Sequence, residues 1–281
     1  MYSMKIVCCA GGLGNQMFQY AFYRYLREKG FRLWFDTSSK LLNERHTGFE
    51  LCRLFPDIHI NTKTDYYLIR RIKHIIFSLC WNNRFSFVGK DNQTDIRERC
   101  FNETVFCGYW QQCGYIDDMR TQLLNDFQFI PFDEKNEKTA KQISRINSVS
   151  IHIRRGDYLQ PENINLSNIC TLEYYQSAIN LIKNKVDHPE FFIFSDDMEW
   201  VKKNLMVDNA QFVDWNHGKN NFRDMQLMSL CKHNIIANST FSWWGAWLNQ
   251  NSEKIVIAPS KWSNSQFEND LLIPKQWIKI G

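Results

Sequence analysis

From residue 148 to residue 258 short apolar runs alternate with stretches of helical periodicity, and that alternation constrains the fold more than any other feature of the chain. Residues 148–153, 191–194, 211–213, 234–237 and 254–258 read as strands. Between them 171–185, 198–204, 222–231 and 243–248 read as helices, the first with Thr171 as a natural N-cap. Strands without a polar face are buried on both sides, and strand–helix–strand repeats build parallel, doubly wound sheets. The first forty residues repeat the theme. Residues 4–10 form a strand and a glycine-rich turn follows. A helix then carries Met17, Phe18, Ala21, Phe22, Tyr25 and Leu26 on one face as far as Gly30, and 31–35 is a strand ending at Asp36. A further strand is expected at 104–110. With 281 residues there is chain enough for two domains. The charged, apolar-poor stretch 133–145 is the expected junction, dividing the chain into 1–145 and 146–281. The expected class is α/β, two Rossmann-like halves.

Several classes are excluded by composition. Lys+Arg outnumber Asp+Glu by 34 to 30, too mild a surplus to mark a nucleic-acid partner. A hydrophobic content of 44% excludes a disordered chain. The nine cysteines are odd in number and show no zinc spacing, so free thiols in a reducing, cytoplasmic setting are expected. No apolar run reaches the roughly 18 residues a membrane span needs, and residues 1–10 do not read as a secretory signal. A helix expected at 66–79 carries Arg70, Arg71 and Lys73 off its apolar side. That face would suit peripheral contact with the inner face of a plasma membrane, and an ordinary helix packed on a sheet explains it as well.

Parallel sheets bind ligands at the carboxyl ends of their strands, so the segments that follow the strands are the candidate sites. After the first strand, Gly12, Gly14, Asn15 and Gln16 lie in a turn whose glycines allow close backbone approach. This half-matches a dinucleotide fingerprint, with Met17 where the third glycine belongs and Asp36 about twenty residues on. After 148–153 comes His152-Ile153-Arg154-Arg155-Gly156-Asp157-Tyr158. Two arginines at a strand end call for an anion, and their planar forks match phosphate. Asp157 can anchor a guanidinium or act as a base. Asp196 and Asp197 can hold ribose, base N–H groups or a metal, or simply cap the next helix. Asn238, Ser239, Thr240 and Phe241 bring small polar groups to a helix N-terminus, a natural phosphate cradle, while Trp243, Trp244 and Trp247 read as core. Asp224 and His233 are expected near the same edge. Together these features describe a phosphorylated ligand held by arginine and helix N-termini, with no metal cluster.

Three segments, GGLGNQMFQYAF at 11–22, HIRRGDY at 152–158 and NSTFSWWGAWL at 238–248, resemble the bacterial α-1,2-fucosyltransferases of glycosyltransferase family 11, relatives of the α-1,6- and protein O-fucosyltransferases. The resemblance runs from residue 4 to residue 262. One departure falls at 108–115, where Gln112, Cys113 and Gly114 stand in place of an acidic–basic pair. The resemblance implies a GT-B fold, two Rossmann-like domains with parallel sheets facing a cleft, the first on the acceptor side and the second binding GDP-fucose. It also implies GDP-β-L-fucose as donor, a galactose-terminated glycan as acceptor (lipid-linked or free), inversion, an α-1,2 link, and no metal or other cofactor. On this view Arg154 meets the β-phosphate with help from Asn15, Ser239 and Thr240, and Arg155 braces the loop through Asp157. His152, Asp224, His233 and Asp196 hold the guanosine. Asp157 is the nearest candidate base, and a late proton transfer without a dedicated base serves equally. The rivals are a nicotinamide-dependent oxidoreductase resting on Gly12, Gly14 and Asp36, and a non-catalytic nucleotide-sugar or glycan-binding module.

Overall fold

A computed structural model describes residues 4–38, 48–61, 88–90, 95–264 and 269–281. The helix expected at 66–79, with its basic face, lies outside the described residues. The chain divides into two compact units, Met1–Ile130 and Pro131–Gly281.

In the first unit β1 (Lys5–Cys8), β2 (Leu33–Asp36), β3 (Val88–Lys90) and β4 (Val105–Cys107) form one sheet in the order β2-β1-β4-β3, with every pairing parallel. Chain direction reverses at Gly11, whose φ of +81° is the left-handed region that a side chain would strain. An added Cβ there would also lie 2.8 Å from Asn15 Nδ2. Helix α1 (Leu13–Glu28) then starts from Gly12. One apolar face was expected, but Tyr20 and Tyr23 are buried too, against the Phe35 ring. Their hydroxyls make this tolerable: Tyr20 donates to Asp126 Oδ2 at 2.9 Å, where Arg24 Nε also pairs at 2.8 Å, and the Tyr23 hydroxyl accepts from Asn61 N at 3.3 Å. On the other side Phe22 stacks on Trp110, with centroids 4.0 Å apart. Helices α2 (Leu51–Leu54), α3 (Cys113–Asp118) and α4 (Arg120–Asp126) complete the described part of this unit. All cysteines among the described residues are free thiols, and those of Cys8 and Cys107 touch at 3.3 Å across β1 and β4.

The second unit opens with α5 (Glu134–Ile143), the stretch expected to be a junction. Its apolar side is small, but it is a capped helix packed along α8 (Phe222–Leu230), and the boundary therefore falls earlier, after Ile130. Strands β5 (Ser148–Ile153), β6 (Glu190–Ser195), β7 (Ala210–Val213), β8 (His233–Ile235), β9 (Val256–Pro259) and β10 (Ile278–Ile280) form a sheet in the order β10-β9-β8-β5-β6-β7, again all parallel. Every residue of β5 is buried, as a central strand covered on both faces must be. No strand was expected at β10; three residues are too few for a periodic signal. Helix α6 (Leu172–Lys185) begins where expected, Thr171 Oγ1 accepting from Tyr174 N at 3.3 Å. Helix α7 (Met198–Asn204) follows β6, and α9 (Thr240–Leu248) follows β8. Trp243, Trp244 and Trp247 of α9 are core, each removal of such a ring from water contributing about 2–3 kcal/mol. Helix α10 (Asn269–Leu272) receives the Trp243 indole N–H at the Leu272 carbonyl, 3.0 Å. No helix of the described residues is long and apolar enough to cross a membrane.

Candidate active site

The strand order of the second unit reverses at β5. The chain runs outward through β6 and β7, then returns to place β8 on the other side of β5. A crevice opens at the carboxyl ends of two strands where the order reverses, and there a parallel sheet receives its ligand. The segments leaving β5 and β8 at that point are 154–158 and 236–240.

Five charged side chains shape the first segment. Arg154 Nη2 donates to Asp157 Oδ2 at 2.8 Å, and its Nε lies 3.3 Å from Asp196 Oδ2. Burial works against this guanidinium, but the two carboxylates keep it charged. Asp196 also accepts the backbone N–H groups of Arg155 at 2.9 Å and Gly156 at 3.1 Å. It is thus a clamp on the loop, where the resemblance implied a guanosine contact. Arg155 is braced by Asp197, at 2.6 Å, and not by Asp157. Its guanidinium lies 4.5 Å from the centre of the Trp200 ring, and so has a structural partner on each side. Asp197 in turn caps α7 by accepting from Trp200 N at 3.2 Å. The two neighbouring acids therefore serve different partners. Among the described residues no group of His, Cys, Asp and Glu converges as a metal site.

Two buried polar atoms beside Arg154 have no partner. One is His152 Nδ1 and the other is Asp157 Oδ1. Such atoms cost free energy in an unliganded protein, about 1–3 kcal/mol each. The His152 ring lies 5.6 Å from that of Phe241 in the first turn of α9. Burial first, and Arg154 second, push its pKa down to about 3, so the imidazole is neutral at ordinary pH. At the start of α9, Ser239 Oγ accepts from Phe241 N at 3.3 Å as the N-cap, and Thr240 follows half-buried. Tyr158, the last residue of the HIRRGDY motif, links the two segments by donating to the Asn238 carbonyl at 2.9 Å. The Asn238 side chain is committed elsewhere: its Nδ2 donates to the carbonyls of Leu166 at 3.0 Å and Trp262 at 3.1 Å. Asn238 thereby holds loops together.

Asp224 lies half-buried in the first turn of α8, on the same edge because α8 follows β7. Burial raises its pKa to about 7, against a hydrogen bond from Asn216 Nδ2 at 2.8 Å. Asn216 was not anticipated, since an asparagine in a polar connection carries no pattern. His233 was expected nearby, but it begins β8, at the opposite end of the strand, where its Nδ1 accepts from Ile255 N at 3.0 Å. It is a satisfied structural histidine.

In the first unit the corresponding strand ends are those of β1 and β4. Gly12 and Gly14 flank the start of α1, and Asn15 Oδ1 accepts from Gln111 Nε2 at 3.0 Å. Gln16 is wholly buried. Its Nε2 donates to the carbonyls of Gly11 and Gly48, and its Oε1 accepts from Glu50 N. It is therefore a brace for the turn. Gln112 in the departing segment is likewise internal, its Oε1 accepting from Ile96 N at 2.8 Å.

The model of glycosyl transferase family 11 matches residues 3–281. The chain belongs to glycosyltransferase family 11. Its relatives include an α-1,2-colitosyltransferase of Escherichia coli, 35% identical over 99% of both chains. The O-antigen biosynthesis glycosyltransferase WbnK of Escherichia coli is 32% identical over the full length of both. Among solved structures, the fucosyltransferase NodZ from Bradyrhizobium superposes with a TM-score of 0.50, covering 87% of this chain and 93% of its own at 13% identity. That likeness concerns the fold, the GT-B type with two Rossmann-like units. The half-matched fingerprint at Gly12 and Gly14 is a turn that runs on to the buried side chain of Met17.

Proposed function

We propose that the chain transfers L-fucose from GDP-β-L-fucose to the 2-hydroxyl of a terminal galactoside, with inversion and without a metal, during assembly of a surface glycan such as an O-antigen. The observation that carries this reading is the pair of partnerless buried atoms, His152 Nδ1 and Asp157 Oδ1, on either side of Arg154 at the strand reversal. As the fucosyl–phosphate bond loosens, negative charge grows on the β-phosphate. Arg154 keeps N–H groups beyond those given to Asp157 and Asp196, and these, with the N-terminus of α9 at Ser239 and Thr240, stabilise that charge. Neutral His152 and Asp224 hold the nucleoside. Asp157 is paired with Arg154, so its part is to orient the guanidinium while the acceptor proton leaves late. Supporting the metal-free reading, Asp196 and Asp197 are spent on the loop and the α7 cap.

The test is an array of β-galactosides incubated with GDP-fucose and read by mass spectrometry with linkage analysis. An α-1,2-fucosylated product is expected, and the absence of transfer to every galactoside overturns the proposal. The 35% identity with a colitosyltransferase favours a second reading, in which the donor sugar lacks the 3-hydroxyl of fucose; exclusive use of that donor in the same array would establish it. Arg154→Ala should lower kcat by about 10²–10³-fold with the melting curve retained. Turnover should be unchanged in excess EDTA, and Mg²⁺-reversible inactivation would remove the metal-free mechanism.

A further inference from the structure

Outside the Arg154 loop a relay of polar side chains crosses the second unit from α5 to α8. Asp133, the N-cap of α5, accepts from Asn136 N at 3.0 Å and from Asn136 Nδ2 at 2.8 Å. Asn136 and Asn216 exchange amide hydrogen bonds, Nδ2 to Oδ1 in each direction, at 2.9 and 3.0 Å. Trp215 Nε1 donates to the same Asn136 oxygen at 3.1 Å. Asn216 Nδ2 then donates to Asp224 Oδ1 at 2.8 Å. The two amides are 1% and 8% exposed, so water does not substitute for these partners.

The relay has one polarity. An amide has one acceptor oxygen and one donor nitrogen. Turning Asn136 over would set its nitrogen against the Trp215 N–H and its oxygen against the Asp133 carboxylate, a loss at both ends. With Asn136 fixed, Asn216 must accept through its oxygen, and only its N–H can face Asp224. Oδ1 of Asp224 is thereby held as an acceptor, and Oδ2 remains for another group. A carboxylate so oriented suits a planar ring with adjacent N–H donors, as on the guanine edge formed by N1–H and the 2-amino group. Hypoxanthine keeps one of these donors, and adenine presents neither.

We infer that Asn216, held by Asn136, is a positioning residue that aims the Asp224 carboxylate at the donor's purine, so that base discrimination is set from α5 as well as from α8. This rests on the reading that Asp224 meets the base. Calorimetric titration of GDP, IDP and ADP into the full chain tests it, using Asp224→Asn, Asn216→Ala and the double variant, with thermal melts alongside. The wild type should prefer GDP over IDP, and Asp224→Asn should abolish the preference. Asn216→Ala should cut it by about tenfold, as expected for losing a hydrogen bond to a charged group, and should change nothing further in the Asp224→Asn background. If Asn216→Ala does not fold, Asn136→Ser makes the same test from α5. A folded Asn216 or Asn136 variant that keeps the full preference, while Asp224→Asn loses it, overturns the inference and leaves the Asp224 reading standing. So does an additive double variant. Unchanged discrimination in Asp224→Asn overturns both.

Discussion

Two titratable side chains on the ligand edge are tuned in opposite directions by the same cause. Burial raises Asp224 from the usual 3.8 to about 7 and lowers His152 from 6.5 to about 3. For an acid with a raised folded pKa, the contribution to stability is full below the unfolded pKa and is lost as pH rises through the folded one. The ionised Asp224 therefore costs stability progressively from about pH 4 to pH 7. Asp224→Asn should melt higher than the parent above pH 7, by on the order of 1 kcal/mol once partial exposure is allowed for, and the gap should close near pH 4. A higher parent melt at pH 8 would show that the carboxylate is better solvated than its burial implies. His152 carries the opposite sign: its contribution is present at neutral pH and disappears as pH falls from 6.5 toward 3, so His152→Gln should flatten the acid limb of the stability curve. These residues were legible in the sequence only in part. HIRRGDY marked His152, Arg154 and Asp157 through type and place, whereas His233 and Asn238 have the right chemistry but use it on the Ile255 N–H and on two loop carbonyls. Spacing does not reveal which polar group is already satisfied.

At the scale of elements, the loop after β5 depends on a residue just past the end of the next strand, β6. Asp196 receives two backbone N–H groups on different oxygens, Arg155 on Oδ1 and Gly156 on Oδ2, and pairs with Arg154 as well. Asn has a single acceptor oxygen, so Asp196→Asn must abandon one backbone donor and much of the hold on Arg154. A loss of about 2 kcal/mol in urea unfolding is expected, with a larger fall in kcat than in donor affinity, measured by steady-state kinetics. Gly156 is constrained by the same clamp, because a Cβ there would lie 3.0 Å from Asp196 Oδ2. Gly156→Ala should weaken activity in the same manner and leave α7 intact by circular dichroism. The glycine and the acid are forty residues apart in the chain, and nothing local in either segment announces the pairing. Helix α5 was hidden for a related reason. It buries Asn136 and Thr139 beside Ala140 and Ile143, so polar partners hold a face that apolar periodicity would normally advertise.

For the molecule as a whole, the strand–helix alternation carried most of the fold. Buried strands of four to six residues and helices with a capping residue leave a pattern that survives in the sequence. What lay beyond it was short or polar: β3 and β10, three residues each, and the unit boundary after Ile130. The outermost strand is nevertheless anchored, since Trp277 next to β10 packs on Trp243 with centroids 5.6 Å apart. Trp277→Ala should therefore destabilise the second unit by about 3–5 kcal/mol, read from its melting transition. The reversal of strand order has a consequence for motion. β5 and β8, whose ends present Arg154 and Ser239, are the two central strands, and each has a bonded neighbour on both edges. Fraying begins at the flanks, at β7 and β10, so amide protons should exchange there first and at β5 last. The residues proposed to grip the nucleotide thus sit where thermal opening arrives latest.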